Sequence, residues 1–216
     1  MKIAILISGR GSNMQALLKA CADPDFPADV VEVISNRPDA AGIAIAETFN
    51  VPTLVIDHTH FGTREEFEDA LHDALVGSGA ELLCLAGFMR LLGADFIGRW
   101  RDKIINVHPS LLPAYRGLHT HERALEDGVR FTGCTIHFVR PEMDNGPIIF
   151  QACVPVLPDD TEQALEARVL EWEHKLYPLV VRLLSQGRLR VSGGQVMIDG
   201  PIEPQDGLMS PLIKDD

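Results

Sequence analysis

The chain has 216 residues, 46% hydrophobic and 23% charged. These are the proportions of a globular protein that needs neither disulfides nor a structural metal to fold. A formal net charge of −12 repels nucleic-acid phosphates over most of the surface, and no apolar run approaches membrane-spanning length, so the expected partners are small molecules rather than nucleic acid or bilayer. The four cysteines, Cys21, Cys84, Cys134 and Cys153, form no C-x-x-C pair. They read as reduced thiols, which favours the cytoplasm. The first apolar run, Ile3 to Ile7, is too short for the core of a signal peptide.

Residues 2–7 (KIAILI) read as a buried strand. Residues 12–22 follow as a helix, with Met14, Leu17, Leu18 and Cys21 at three- to four-residue spacing. The alternation continues with strand 29–35, helix 38–49, strand 52–56 and helix 64–76, the last opened by a T-x-x-E capping box from Thr63 to Glu66. Strand 81–86, a short helix near 93–100 and strand 104–107 come next. Such alternation predicts right-handed βαβ crossovers, hence a single-domain α/β architecture: a mostly parallel, twisted, Rossmann-like sheet with helices on both faces.

After residue 130 the pattern changes. Residues 132–139 and 148–156 are strand-like, and only RPEMDNGP lies between them, which predicts an antiparallel C-terminal addition to the sheet. A long helix over 161–186 should kink or divide at Pro178. Residues 188–200 read as a hairpin with a Gly-Gly turn, and the Pro- and acid-rich stretch 201–216 as a loose tail. The expected organisation is one domain over 1–190, with the hairpin and tail over 191–216.

Ligands of open parallel sheets bind beyond the carboxyl ends of the strands, and the unusual residues cluster there. Ser8 to Asn13 follow the first strand, Gly87 to Arg90 the fourth, and His108, Pro109 and Ser110 the fifth. The first loop, SGRGSN, lacks the third glycine of a dinucleotide fingerprint, because Met14 stands there. Free amides at a helix start suit a phosphate, although a plain turn capped by Ser12 accounts for the pattern about as well. Asn106 and His108 are two apart on a strand and project to one side. An amide beside an imidazole can hydrogen-bond an oxygen that gains negative charge. Asp144, in a turn-rich connector, is a candidate partner that favours the imidazolium form of His108. His119, His121 and His137 raise a metal reading, but the chain has no H-E-x-x-H and no C-x-x-C, so no metal is expected.

The segments SGRGSNMQA, LAGFMRLL, INVHPSLLPAYRGLHTHERAL, GCTIHFV, DNGPII and EHKLYP occur in this order over residues 1 to about 190. Together they closely resemble the phosphoribosylglycinamide formyltransferase family. The resemblance implies a metal-independent one-carbon transferase of purine synthesis, with 10-formyltetrahydrofolate as co-substrate. It also implies a monomer or homodimer. Formyltransferase cousins acting on methionyl-tRNA carry an extra C-terminal domain, and the deformylases carry an extra N-terminal one. A chain of this length is expected to hold neither.

By the same resemblance, His108 stabilises and protonates a tetrahedral intermediate, Asn106 hydrogen-bonds it, and Asp144 supports the histidine and helps move a proton. Gly11, Ser12 and Asn13 match the loop that holds the ribonucleotide phosphate, and Glu173 the carboxylate that contacts the ribonucleotide. Met89, Arg90, Leu91 and Leu92 match the pterin-binding segment, which Asn106 adjoins, and Arg64 a residue near the glutamate tail of the folate. Arg140, Pro141, Glu142, Met143 and Asp144 match the folate-binding connector. One departure is expected to remove a polar substrate contact: Leu170 stands where bacterial members often carry Gln.

Overall fold

The computed structural model describes residues 1–201 together with Leu208 and Ser210, so most of the loose tail expected over 201–216 lies outside the described residues. Seven strands form one sheet: β1 (Lys2–Ile7), β2 (Asp29–Ser35), β3 (Thr53–Val55), β4 (Leu82–Leu85), β5 (Ile104–His108), β6 (Phe131–Phe138) and β7 (Ile148–Pro155), in spatial order β3-β2-β1-β4-β5-β6-β7. The first five are parallel and the last two antiparallel, which bears out the expected architecture. No helix among the described residues is long and apolar enough to cross a membrane.

The two-residue pleat of the parallel strands divides the core into two layers. Ile3, Ile5 and Ile7 of β1, with Cys84 and Ile105, pack against α1 (Ser12–Cys21) and the long α6 (Glu162–Ser185). Ala4 and Leu6 turn to the other face with Leu83, Leu85 and Ile104, under α3 (Arg64–Gly77) and α4 (Ala94–Arg99). Burial on both faces explains why these strands read as unbroken apolar runs. Each large side chain taken fully out of water contributes about 1.5–3 kcal/mol.

Thr63 opens α3 with the expected capping box: its hydroxyl accepts from the Glu66 N–H, and the Glu66 carboxylate accepts from the Thr63 N–H. The hairpin of β8 (Leu189–Ser192) and β9 (Gln195–Ile198) turns at Gly193 and Gly194 as expected. Two expectations need correction. The helix expected from residue 38 is shorter, α2 (Gly42–Thr48), because the Ser35 hydroxyl bonds both the N–H and the C=O of Arg37 and holds residues 35–37 in a turn. Helix α6 is not divided at Pro178; Tyr177, Val180 and Val181 are fully buried, and that packing carries the helix past the missing N–H. A further helix, α5 (Thr120–Glu126), lies between β5 and β6, where the sequence pattern assigns no element.

Candidate active site

Strand β1 pairs with β2 on one side and β4 on the other, so chain connections leave it in opposite directions and open a crevice at the strand ends. A cavity of about 840 Å³ occupies this crevice. Its walls come from the loops after β1, β4 and β5, the start of α5, the connector between β6 and β7, and one face of α6.

Gly11, Ser12 and Asn13 form one end of the cavity. Gly11 is the N-cap of α1 in the left-handed region, φ 75°, and no side chain caps the helix. Ser12 is therefore the first helical residue rather than the cap. A Cβ on Gly11 would stand 2.9 Å from Gly42 Cα, so both the conformation and the close approach require glycine. The first N–H groups of α1 have no intrahelical acceptor and lie at the cavity wall. Asn13 is buried and its Nδ2 donates to Glu173 Oε2 at 2.7 Å. Its Oδ1 is buried without a hydrogen-bond partner among the described residues, and thus remains available as an acceptor. Burial pushes the Glu173 carboxyl above its ordinary value, against the opposing effect of the Asn13 bond.

Asn106 and His108 extend the row begun by Ile104, where the parallel sheet ends. The antiparallel register sets His137 of β6 opposite Asn106 and Thr135 opposite His108. Each ring nitrogen of His108 faces an acceptor. Nε2 donates to the Tyr115 carbonyl at 2.8 Å, and Nδ1 stands 3.5 Å from Asp144 Oδ2. Asp144 sits in the left-handed region, φ 50°, and Oδ2 also accepts the Gly117 N–H at 2.8 Å. The connector leaves β6 beside Ile104, where Val139 N–H donates to its carbonyl, and folds back over the sheet to carry Asp144 to His108.

His137 orients Asn106. Its Nδ1 lies 3.0 Å from the Phe138 carbonyl, which can only accept, so Nδ1 carries the proton. Burial lowers the His137 pKa, outweighing the Phe138 bond and the Asp144 charge, so the neutral ring presents a lone pair at Nε2. Asn106 Nδ2 donates to that lone pair at 3.3 Å, and the second Nδ2 hydrogen is left for a ligand.

The other end of the cavity is more apolar. Met89, Arg90, Leu91 and Leu92 line it, with Arg140, Pro141 and Met143 opposite. Met89, Leu91 and Met143 are more than half exposed. The Met89 N–H donates to Ser8 Oγ at 2.7 Å, and Ser8 in turn donates to Asn36 Oδ1, which ties this wall to β1. Two expected contacts are not brought to the cavity. Arg64 is half-exposed and outside the lining, its Nε 3.6 Å from the buried Glu68 carboxylate, which also accepts the Gly93 N–H at 2.6 Å. Glu142 is exposed and outside the lining. Arg10, Leu118 and His121, from the segments at the strand ends, line the cavity; His137 and Glu166 also line it and lie outside those segments, and Leu170 is on the wall beside Glu173. For His137 the alternation of β6 was the available signal. Arg10 and Glu166 meet across 156 positions of sequence, which no local pattern reveals.

The formyl transferase family model matches residues 1–181. The phosphoribosylglycinamide formyltransferase of Haemophilus influenzae is 43% identical over 206 residues, 95% of this chain and 97% of that protein. The trifunctional purine biosynthetic protein adenosine-3 of Gallus gallus is 46% identical over 191 residues, and the chain spans 19% of its length. Among solved structures, glycinamide ribonucleotide transformylase 1 of Symbiobacterium toebii superposes with a TM-score of 0.90 at 44% identity, covering 92% of this chain and 93% of that one. The cavity at the switch point, its Asn-x-His strand end and the matches over nearly the whole chain agree: the protein belongs to the phosphoribosylglycinamide formyltransferase family, within the formyl transferases.

Proposed function

We propose that the protein transfers the formyl group of 10-formyltetrahydrofolate to the amine of 5′-phosphoribosylglycinamide. The observation that carries this reading is the grouping of Asn106, His108 and Asp144 between an amide-lined helix start and an apolar wall. The helix start suits the phosphate, and the wall of Met89, Leu91, Leu92 and Met143 suits the pterin.

The amine nitrogen attacks the formyl carbon, and the carbonyl oxygen becomes an oxyanion. The free Nδ2 hydrogen of Asn106 and the Nδ1 proton of His108 stabilise that charge. The 3.5 Å gap between Nδ1 and Asp144 exceeds a direct hydrogen bond, so that proton is available to the oxyanion. As the intermediate collapses, the bond from the formyl carbon to N10 breaks. The amine loses one proton toward Asp144 and N10 gains one, giving the N-formyl product and tetrahydrofolate.

Incubation with both substrates tests this. Formyl transfer should require the ribonucleotide, with little formate released in its absence, and His108→Ala should lose at least about a hundredfold in kcat. Rapid formate release without the amine, or full transfer by the variant, would overturn the reading.

A further inference from the structure

Arg10 stands between the two glycines of the phosphate loop, where neither the turn nor the helix start calls for an arginine. Its side chain is 81% exposed yet lines the cavity, and Nη2 donates to Glu166 Oε1 at 2.5 Å. An exposed ion pair with a single contact contributes little to folding. Its surroundings suggest a different use. Glu162, Glu166 and Glu173 all face this end of the cavity from α6. His121, also on this wall, adds no compensating charge, because burial lowers its pKa against the pull of Glu166 and Glu162. Arg90 and Arg140 belong to the opposite, apolar end. A phosphate carrying close to two negative charges would therefore meet the carboxylates of Glu162 and Glu166 beside the buried Glu173, with the α1 amides as its support.

We propose that Arg10 is a phosphate-binding, specificity-determining residue, held in place by Glu166. A guanidinium has five N–H donors in a planar fork, and the pair with Glu166 engages one nitrogen. The remaining donors receive the ribonucleotide phosphate while Nη2 stays on Glu166. A carboxylate that would repel the substrate then becomes the group that orients its cation. The proposal rests on the transferase reading and adds to the backbone amides a side chain that senses whether the substrate is phosphorylated.

Steady-state kinetics of the full chain test it, with glycinamide ribonucleotide and the riboside lacking the phosphate as alternative acceptors. Arg10→Ala should raise the ribonucleotide KM about tenfold, the scale of one charge-assisted contact. Its kcat and folate KM should stay within about twofold, and its kcat/KM for the riboside should not change. Adding Glu166→Gln to Arg10→Ala should recover about threefold in ribonucleotide KM, because the uncompensated carboxylate is gone. A ribonucleotide KM within twofold of the wild type, equal losses for riboside and ribonucleotide, or no recovery in the double variant would overturn the proposal. Those outcomes leave the transferase reading intact. A wild-type chain that formylates neither acceptor overturns that reading and this proposal with it.

Discussion

Replacing Thr135 with Val removes one hydroxyl and should loosen the loop that holds His108. Thr135 is fully buried in β6. Its Oγ1 accepts from the Leu112 N–H at 3.0 Å and from Gln151 Nε2 at 2.9 Å, and donates to the Ser110 carbonyl at 2.7 Å. In Thr135→Val, Gln151 keeps its bond to the Leu112 carbonyl, but the buried Leu112 N–H and the Ser110 carbonyl both lose their partner. One unsatisfied buried N–H costs about 1–3 kcal/mol, and the lost bond to Ser110 about 1 more. The total is about 2–4 kcal/mol, or roughly 5–15 °C in Tm for a chain of this size. Urea denaturation should show a lower midpoint with an unchanged m value. Because the Tyr115 carbonyl that accepts from His108 Nε2 belongs to the same loop, kcat should also fall about tenfold while the ribonucleotide KM holds. A stability loss below about 0.5 kcal/mol would refute the role assigned to this hydroxyl.

A Cβ on Gly146 would fall 1.6 Å from the Phe138 carbonyl oxygen. Gly146→Ala must therefore move backbone at the base of the connector carrying Asp144, and a kcat within twofold of wild type would contradict that geometry. Burial holds the Glu173 carboxyl above its ordinary value of 4.5. Its protonated form thus contributes stability that is complete below about pH 4.5 and is lost as pH rises through the raised value. Glu173→Gln should accordingly match or exceed the wild type in urea midpoint at pH 8, lose that advantage at pH 4, and bind the ribonucleotide about tenfold more weakly. The opposite pH trend would show that the carboxylate is stabilised where it lies.

Strands buried on both faces leave apolar runs such as KIAILI and ELLCLA, so the parallel sheet was legible from sequence. So were the Thr63–Glu66 cap and the Gly-Gly hairpin, whose chemistry is local. Helix α5 was not, because it has seven residues and its N-cap, His119, is in the left-handed region and makes no side-chain cap. The core of the site was readable because Asn106 and His108 share one strand. Their supports were not, because His137 and Thr135 reach them through the β5–β6 register. Arg64 joined the folate contacts by family resemblance alone, as a residue near the glutamate tail; in the fold its Nε lies 3.6 Å from the buried carboxylate of Glu68.

In the proposed transfer, helix α6 is a fixed spacer between the helix start offered to the phosphate and the strand offered to the oxyanion. Glu173 holds Asn13 at the phosphate end. One turn later the buried Tyr177 hydroxyl lies 2.9 Å from the Leu85 carbonyl and 3.2 Å from that of Ile105, the residue before Asn106. Four helical residues rise about 6 Å, and few distances in a protein are stiffer. The reach from Asn13 to the strand carrying Asn106 is thus set by helix pitch and not by surface loops. Insertions or deletions that lengthen or shorten α6 between these residues should misalign the amine with the formyl carbon, and should lower kcat even where both substrates still bind.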